Sequence, residues 1–592
     1  MSYEILGIIL IFSLSVLLAL PLGRYIAKVY LGQPTWLDFL APLEDRIYKL
    51  CRINPKKEMT WQEHLIALLT INFLWFFWMM FILMNQGWLP LNPDGNPSMS
   101  PHLAFNTAVS FLVNCNLQHY SGETGVTYLS QLAGLMFMQF VTAGTGMAAG
   151  AIVFKAMKPH PQSLPSREGS SKYAATDSYS KTPSLQGRAG EGLGNFYVYF
   201  LKSCTRILLP LSLASALLLV FNGVPMNWEG KASIVTMQGD SVQVSRGPAA
   251  AMIAIKQLGT NGGGWFGVNS AHPLENPNYL TNAVENILIL LIPIAFVFAL
   301  GFYLNRKKLA WMIFGVMTFG FLLMAGASIY AEMQGNPALS RLGIDQSLGS
   351  MEGKEVRFGA AASAFWGMAT TATSNGSVNA MHDSMTPLSG ALQMLDMMIN
   401  ALYGGVGVGF LNFYIFIIIA VFISGLMVGR TPEFLGKKIE AKEMKIATLV
   451  ALLHTFLILA FTALSSFVFV QDPNVGWLNN PTFHGFSEML YEYTSSSANN
   501  GSGFEGLADN NPFWNITCGI VLLLSRYLPI IGPVAIAGIL ANKKYIPESS
   551  GTLQTDTATF GFMVLAVIFI VAALSFFPAL ALGPLAEYFT LR

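Results

Sequence analysis

Charge is scarce in this sequence. Only 11% of its 592 residues are Asp, Glu, Lys or Arg, where a soluble domain carries about 25%, and 53% are hydrophobic. That combination excludes an ordinary water-soluble globule and places the bulk of the chain in lipid. Neither sign of charge dominates: 33 Lys and Arg stand against 32 Asp and Glu, so nothing points to nucleic acid or to an acidic partner. Membrane lipid is the only partner that composition implies. Cysteine is thin as well. Cys51, Cys115, Cys204 and Cys518 are scattered without CxxC or Cys/His spacing, which argues against both a disulfide framework and a zinc site and leaves small apolar packing residues. The sequence also lacks GxxxxGK[ST], HExxH and any large soluble domain in which a nucleotide site could fold. The chain therefore has no means of its own to turn over ATP.

Long apolar runs, by contrast, are plentiful. A spanning helix needs about 20 mainly apolar residues, and ten stretches qualify, near 4–23, 64–84, 128–154, 197–221, 281–304, 309–330, 391–428, 446–470, 512–541 and 558–578. The first, apolar from Ile5 to Leu22 and followed by Arg24 and Lys28, has neither a basic leader nor a small-residue cleavage site, and is read as a retained span. The seventh is too long for one straight helix. Gly404, Gly405, Gly407 and Gly409 interrupt it, and non-helical backbone at membrane depth is tolerated only where protein buries it or a cavity takes it in; this is a candidate hinge or gate. Basic residues gather in alternate loops, at 24–57, 155–188, 306–308, 430–445 and 543–544. By the positive-inside rule those loops are cytoplasmic and both termini lie outside. The segment 159–194 is rich in Ser, Pro, Gly and charge and reads as a flexible cytoplasmic loop.

A pattern repeats four times. Between spans two and three, four and five, six and seven, and eight and nine lies an apolar segment too short to cross a bilayer: 103–113, 249–258, 360–372 and 486–494. Each runs into a small polar stretch: Asn114-Cys115-Asn116, Thr260-Asn261-Gly262-Gly263-Gly264, Thr373-Ser374-Asn375-Gly376-Ser377 and Ser497-Ala498-Asn499-Asn500-Gly501-Ser502. A dehydrated potassium ion needs a shell of oxygens in place of its water, and four loops converging on one axis can supply rings of backbone carbonyls. Such loops need backbone angles that a Cβ disfavours, which suits glycine, and Asn tolerates left-handed angles too. Gly262, Gly376 and Gly501 each follow an Asn, while the first loop departs by placing Cys115 or Asn116 there. The ion-binding set expected is therefore Asn114, Cys115, Asn116, Thr260, Asn261, Gly262, Gly263, Ser374, Asn375, Gly376, Asn499, Asn500 and Gly501, with Gln118 beside it. The fold expected is an all-α polytopic membrane protein, with about ten transmembrane helices and four helix, pore-helix, filter-loop, helix units around a central pore.

Other signals carry less. The GxGxxG spacings beginning at Gly262 and Gly501 do not follow a strand in a βαβ unit, so they are not dinucleotide fingerprints. The Asn-x-Ser/Thr matches at Asn375 and Asn500 fall inside the candidate pore loops. Arg526 lies within the apolar run 520–531, where an ionisable residue suggests function by default and snorkelling or a structural pair is the plainer alternative. Lys256, Glu285, His382, Asp383 and Asp396 flank the loops and read mainly as caps or buried pairs. A membrane-embedded enzyme using His382 and Asp383 would need a facing nucleophile or metal set, and none is evident.

Several runs are diagnostic: GTNGGG at 259–264, NSAHPLENP at 269–277, ATSNGSVNAMHDSMTP at 372–387, GRTPEFLGKKIE at 429–440 and Tyr120-Ser121-Gly122-Glu123. They closely resemble the potassium-binding A subunit of the Kdp potassium-transporting ATPase over nearly the whole chain, though 159–194 looks longer than the family's usual loop. The resemblance implies that the ion is K+ with no organic cofactor, and that the subunit is non-catalytic. It also implies as partners a P-type ATPase B subunit that hydrolyses ATP and small C and F subunits, in a high-affinity uptake complex of the bacterial inner membrane. It maps the filter onto the four loops, the Gly404, Gly405 and Gly407 break onto a gating region below them, and Arg526 onto a basic residue facing the ATPase subunit. A stand-alone uptake channel with soluble gating subunits is the alternative within the same fold, and the NSAHPLENP and MHDSMTP runs favour the pump. The organisation expected is a first helix and cytoplasmic loop (1–62), pore repeat one (63–158), the flexible loop (159–194), repeats two (195–308), three (309–445) and four (446–545), and a last helix (546–592).

Overall fold

The computed structural model describes residues 2–158, 192–547 and 553–591, so most of the 159–194 loop expected from the sequence lies outside the described residues. Among the described residues, ten helices are long and apolar enough to cross a membrane: Tyr3–Tyr30, Trp61–Asn85, Ser130–Met157, Phe196–Phe221, Tyr279–Leu304, Lys307–Arg341, Val408–Val428, Ala441–Gln471, Pro512–Ala541 and Ala558–Thr590. The first and eighth extend well past the stretches read from hydropathy. Apolar windows mark the part of a helix that lipid surrounds rather than its ends, and Arg24, Lys28 and Lys445 sit in polar extensions.

Local chemistry sets where several spans begin and end. Capping boxes start the second, through Thr60 and Glu63, and the fifth, through Asn278 and Thr281, satisfying backbone N–H groups that have no helical partner. Left-handed Asn305 and Gly429 close the fifth and seventh, as residues tolerant of that conformation commonly do. In the most apolar 18 residues of the third and fifth spans 89% of the residues are buried, against 22% in those of the first and eighth. The former pair therefore forms the centre of the bundle, and the latter faces lipid. Departing from an all-helical chain, two short antiparallel hairpins, Ala232–Val235 with Ser241–Val244 and Glu433–Phe434 with Lys437–Lys438, sit outside the spans. Gly239 and Gly436, at φ 93° and 72°, make their turns.

Four shorter helices enter between the spans: Pro101–Leu112, Ala249–Leu258, Ala360–Ala372 and Thr482–Ala498. The second and third match the sequence reading in extent. The fourth is longer than the expected 486–494, because Ser495, Ser496 and Ser497, which look like the start of the polar loop, are at most 1% exposed and stay helical inside protein rather than lipid. The overlong seventh stretch resolves into Pro387–Ile399, a non-helical passage and Val408–Val428. Residues 401–410 are all buried, as irregular backbone at this depth requires.

Candidate functional site

The four polar loops follow the C-termini of the four short helices and share one backbone pattern. In each, the first and third positions have positive φ: Asn114 and Asn116 (62° and 57°), Thr260 and Gly262 (44° and 72°), Ser374 and Gly376 (51° and 87°), Asn499 and Gly501 (50° and 102°). The residues between them, Cys115, Asn261, Asn375 and Asn500, do not. Alternating left- and right-handed residues turn successive peptide planes so that their N–H groups share one side and their carbonyls the other. This decides the ambiguity in loop one: Asn116 holds the position of Gly262, Gly376 and Gly501, and Cys115 that of the central Asn.

The N–H groups are already used. Cys115 and Asn116 both donate to the Ser110 carbonyl at 3.0 and 3.3 Å, and Asn261 and Gly262 to that of Lys256 at 2.9 and 3.2 Å. Asn375 donates to the Thr370 carbonyl (3.0 Å) and Gly376 to Thr370 Oγ1 (2.9 Å). Asn500 donates to the Ser495 carbonyl (2.9 Å) and Gly501 to Ser495 Oγ (3.0 Å). With the donors turned back onto their own helix, the opposite face of each loop carries carbonyls. An anion would find the N–H groups of the second and third positions already taken, whereas a cation finds oxygen. The negative ends of four helix dipoles face the same place and add to that preference.

The loops close on one another in sequence order. A Cβ at Gly262 would strike the Asn375 carbonyl, one at Gly376 the Asn500 carbonyl, and one at Gly501 the Cys115 carbonyl. Between loops one and two, where no such glycine exists, Asn116 Nδ2 donates to the Gly262 carbonyl at 2.8 Å and Asn114 Nδ2 to that of Thr260 at 2.9 Å. The central Asn side chains lock the ring: Asn375 Nδ2 reaches the Lys256 carbonyl (3.2 Å), Asn500 Nδ2 the Thr370 carbonyl (2.8 Å), and Asn261 bonds Asn114. Gln118 pairs in both directions with Gly264, accepting from its N–H at 2.7 Å and donating to its carbonyl at 3.2 Å. Gly263 lies against Asn116 and Gln118.

Above the ring opens a cavity of about 540 Å³ whose lining includes Asn116, Gln118, Gly376, Gly501, Glu505 and Asp509. Glu505 is exposed to this cavity and Asp509 half-buried beside it, and the surrounding protein raises both carboxyls above the usual carboxylate range. Behind the first loop, His119 is held between Glu492 Oε1 (3.1 Å) and Asn515 Oδ1 (2.9 Å). Sequence reasoning missed Glu505, Asp509 and this histidine. Glu505 and Asp509 lie beyond the repeated motif, and His119 depends on partners almost 400 residues away.

Below the ring, the passage between the two halves of span seven docks on loops two and three. The Val406 N–H donates to Thr260 Oγ1 at 2.9 Å, Gly404 N–H to the Ala372 carbonyl at 2.7 Å, and Ser374 Oγ bonds Asn400 Oδ1 at 3.1 Å. Gly404 and Gly407 are left-handed, and a Cβ on Gly407 would strike the Gly146 carbonyl of span three. Gly405 differs: its φ is not positive, and the nearest atom to a Cβ there is 3.6 Å away. Arg526 is 4% exposed, its Nη2 has no hydrogen-bond partner, and that atom lies 3.3 Å from where a Cβ on Gly146 would sit, next to the Val406 carbonyl. The structure thus brings Arg526 to the passage beneath the ring rather than to the ring itself. The flanking polar residues are engaged in pairs: Lys256 with Glu275, Gln257 with Glu285, His382 with Tyr491, and Asp396 with Thr371.

The family described as potassium-transporting ATPase A subunit matches residues 9–589 of this chain. A potassium-transporting ATPase potassium-binding subunit from Flavobacterium johnsoniae is 64% identical over 602 residues, covering 100% of both chains. The corresponding subunit of Geobacillus kaustophilus is 44% identical over 583 residues, covering 98% of each. The crystal structure of the potassium transporter TrkH from Vibrio parahaemolyticus superposes with a TM-score of 0.47 at 13% identity, covering 90% of this chain and 98% of that one.

Proposed function

This chain belongs to the potassium-transporting ATPase A-subunit family, and from that premise we propose that it is the non-catalytic, potassium-binding and potassium-conducting subunit of an ATP-driven uptake complex. In this reading the complex sits in the bacterial inner membrane with both termini of this chain outside. A P-type ATPase B subunit supplies the energy, and small C and F subunits complete the assembly. Potassium enters the outer cavity, sheds water in the ring of four loops, and passes to the ATPase subunit.

The observation that carries the reading is the use of backbone donors. In every loop the N–H groups of the second and third positions return to the preceding helix, so the face turned to the neighbouring loops is one of oxygens. Replacing an ion's hydration shell with such oxygens is what cation selectivity requires. Asn114, Thr260, Ser374 and Asn499 begin the oxygen ladder; Cys115, Asn261, Asn375 and Asn500 continue it; Asn116, Gly262, Gly376 and Gly501 end it next to the cavity, with Gly263 and Gln118 bracing loops one and two. The passage at Gly404, Gly405 and Gly407 is the gate, closed against loops two and three by the Val406 and Gly404 bonds. Arg526 puts a guanidinium whose Nη2 has no partner beside that gate, where its charge repels a cation that has left the ring and directs it toward the partner.

Affinity purification of this chain from native membranes tests the assembly. Recovery of a P-type ATPase with potassium-stimulated ATP hydrolysis is the expected result. Recovery of the chain alone, with potassium uptake that needs no ATP, would overturn it in favour of a stand-alone channel.

A further inference from the structure

We propose that the chain holds a second cation site, for a first-row divalent metal such as zinc, built from Asp383, His484 and Glu488. It lies outside the ring and does not depend on how the ring is read. Each of the three residues offers a ligand atom within 4.8 Å of the other two. His484 and Glu488 are four residues apart on the helix Thr482–Ala498, a spacing that brings two side chains to one face. Asp383 arrives from the short turn His382–Ser384 that follows loop three.

Three features go beyond a chance gathering of charge. Glu488 is fully buried, and its Oε2 has no hydrogen-bond partner, while Oε1 accepts from Asn480 Nδ2 at 2.9 Å. A buried carboxylate oxygen without a donor is costly, and a metal ion would satisfy it. His484 presents Nε2 to Asp383 Oδ1 at 2.9 Å and has Nδ1 on Glu587 Oε1 at 2.9 Å. With both nitrogens on carboxylates the ring carries two protons here; a metal ion taking the place of the Nε2 proton would leave Nδ1–H on Glu587, the usual outer-shell arrangement of a metal-bound histidine. Finally, residue 506 is glycine, and a Cβ there would lie 2.5 Å from Glu488 Oε1 and 2.8 Å from Asp383 Oδ2, so only glycine lets the chain pass this close to the two carboxylates.

One imidazole and two carboxylates, with water in a fourth position, suit zinc and its first-row neighbours. Bound there, the ion would join the turn after loop three, the fourth short helix and, through Glu587, the last helical turns. Asp383 also donates its backbone N–H to Glu505 Oε2 at 3.1 Å, and Glu505 lines the outer cavity. The site is therefore placed to stiffen the mouth above the ring.

The test is zinc titration of the purified full-length chain in detergent with potassium saturating, on a Cys51→Ala, Cys518→Ala background. We expect one equivalent of Zn²⁺ bound, an affinity loss of at least tenfold in both Asp383→Asn and Glu488→Gln, and a rise in thermal midpoint with Zn²⁺ that neither variant shows. Absence of stoichiometric binding, or binding that survives both substitutions, would overturn the site. If either variant fails to fold, crystals of the unaltered chain soaked in Zn²⁺ decide: an anomalous peak among Asp383, His484 and Glu488 supports it, and a peak elsewhere or none overturns it.

Discussion

The first loop and the other three do the same work with different residues. Loops two, three and four place glycine at the third position because a Cβ there would strike the carbonyl of the next loop. Loop one places Asn116 there at φ 57°, and its side chain bonds the Gly262 carbonyl across the junction. Where glycine closes the ring by removing atoms, asparagine closes it by adding a hydrogen bond. What the loops share is backbone handedness and the return of N–H groups to the preceding helix, so the conformation, rather than any one residue type, defines the site.

That contrast can be broken most severely at the glycines. Gly376→Ala and Gly501→Ala add a Cβ in left-handed backbone, at about 1–2 kcal/mol, and also displace a neighbouring carbonyl. Apparent potassium affinity should fall by at least about tenfold, or about 1.4 kcal/mol, with weaker discrimination against sodium and near-normal expression, as read from uptake against concentration. Arg526→Ala comes next. It leaves the ring untouched, so potassium transported per ATP should fall roughly fivefold, a coupling on the order of 1 kcal/mol, with little change in affinity. Arg526→Lys should keep part of the coupling, since charge persists without the planar fork. Paired ATPase and uptake measurements on the purified complex check this, and equal losses of both activities and of expression would mark Arg526 as structural.

Asn116→Ala sharpens the comparison from the other side. It removes the single bond to the Gly262 carbonyl, about 0.5–1.5 kcal/mol, so affinity should fall less than in the glycine variants; a larger loss would mean that loop one ligates the ion more directly than the others. The smallest effect is expected at Gly405→Ala, where a Cβ meets only ordinary van der Waals contact. Uptake there should stay within about twofold of the unaltered chain, because the added methyl strains no backbone and displaces no neighbour, while Gly407→Ala, aimed at the Gly146 carbonyl, should transport poorly or leak without ATP.

Much of this architecture was legible in the sequence because lipid enforces it. Ten apolar runs had to be helices, and four short apolar segments ending in Asn/Gly stretches had to turn back, since unsatisfied backbone cannot face hydrocarbon. Polarity misled where protein, not lipid, was the surrounding medium. The helix Thr482–Ala498 ends in the buried serines Ser495, Ser496 and Ser497, so the apolar segment understated its length. The loop glycines were readable as conformational requirements, but the equivalence of Asn116 to Gly262, Gly376 and Gly501 was not, because asparagine tolerates left-handed backbone without demanding it. The surroundings of His119 and Arg526 were invisible for another reason: their neighbours come from distant repeats, and no local pattern encodes which span packs beside which.

The central claim is that the four-loop ring discriminates among dehydrated cations. Its most direct test is equilibrium binding of potassium, rubidium and sodium to the purified full-length chain, unaltered and as Gly376→Ala. The unaltered chain should bind potassium and rubidium well above sodium, and the substitution should weaken potassium binding at least about tenfold while narrowing the gap to sodium. Unchanged affinity and unchanged selectivity in the variant would contradict it.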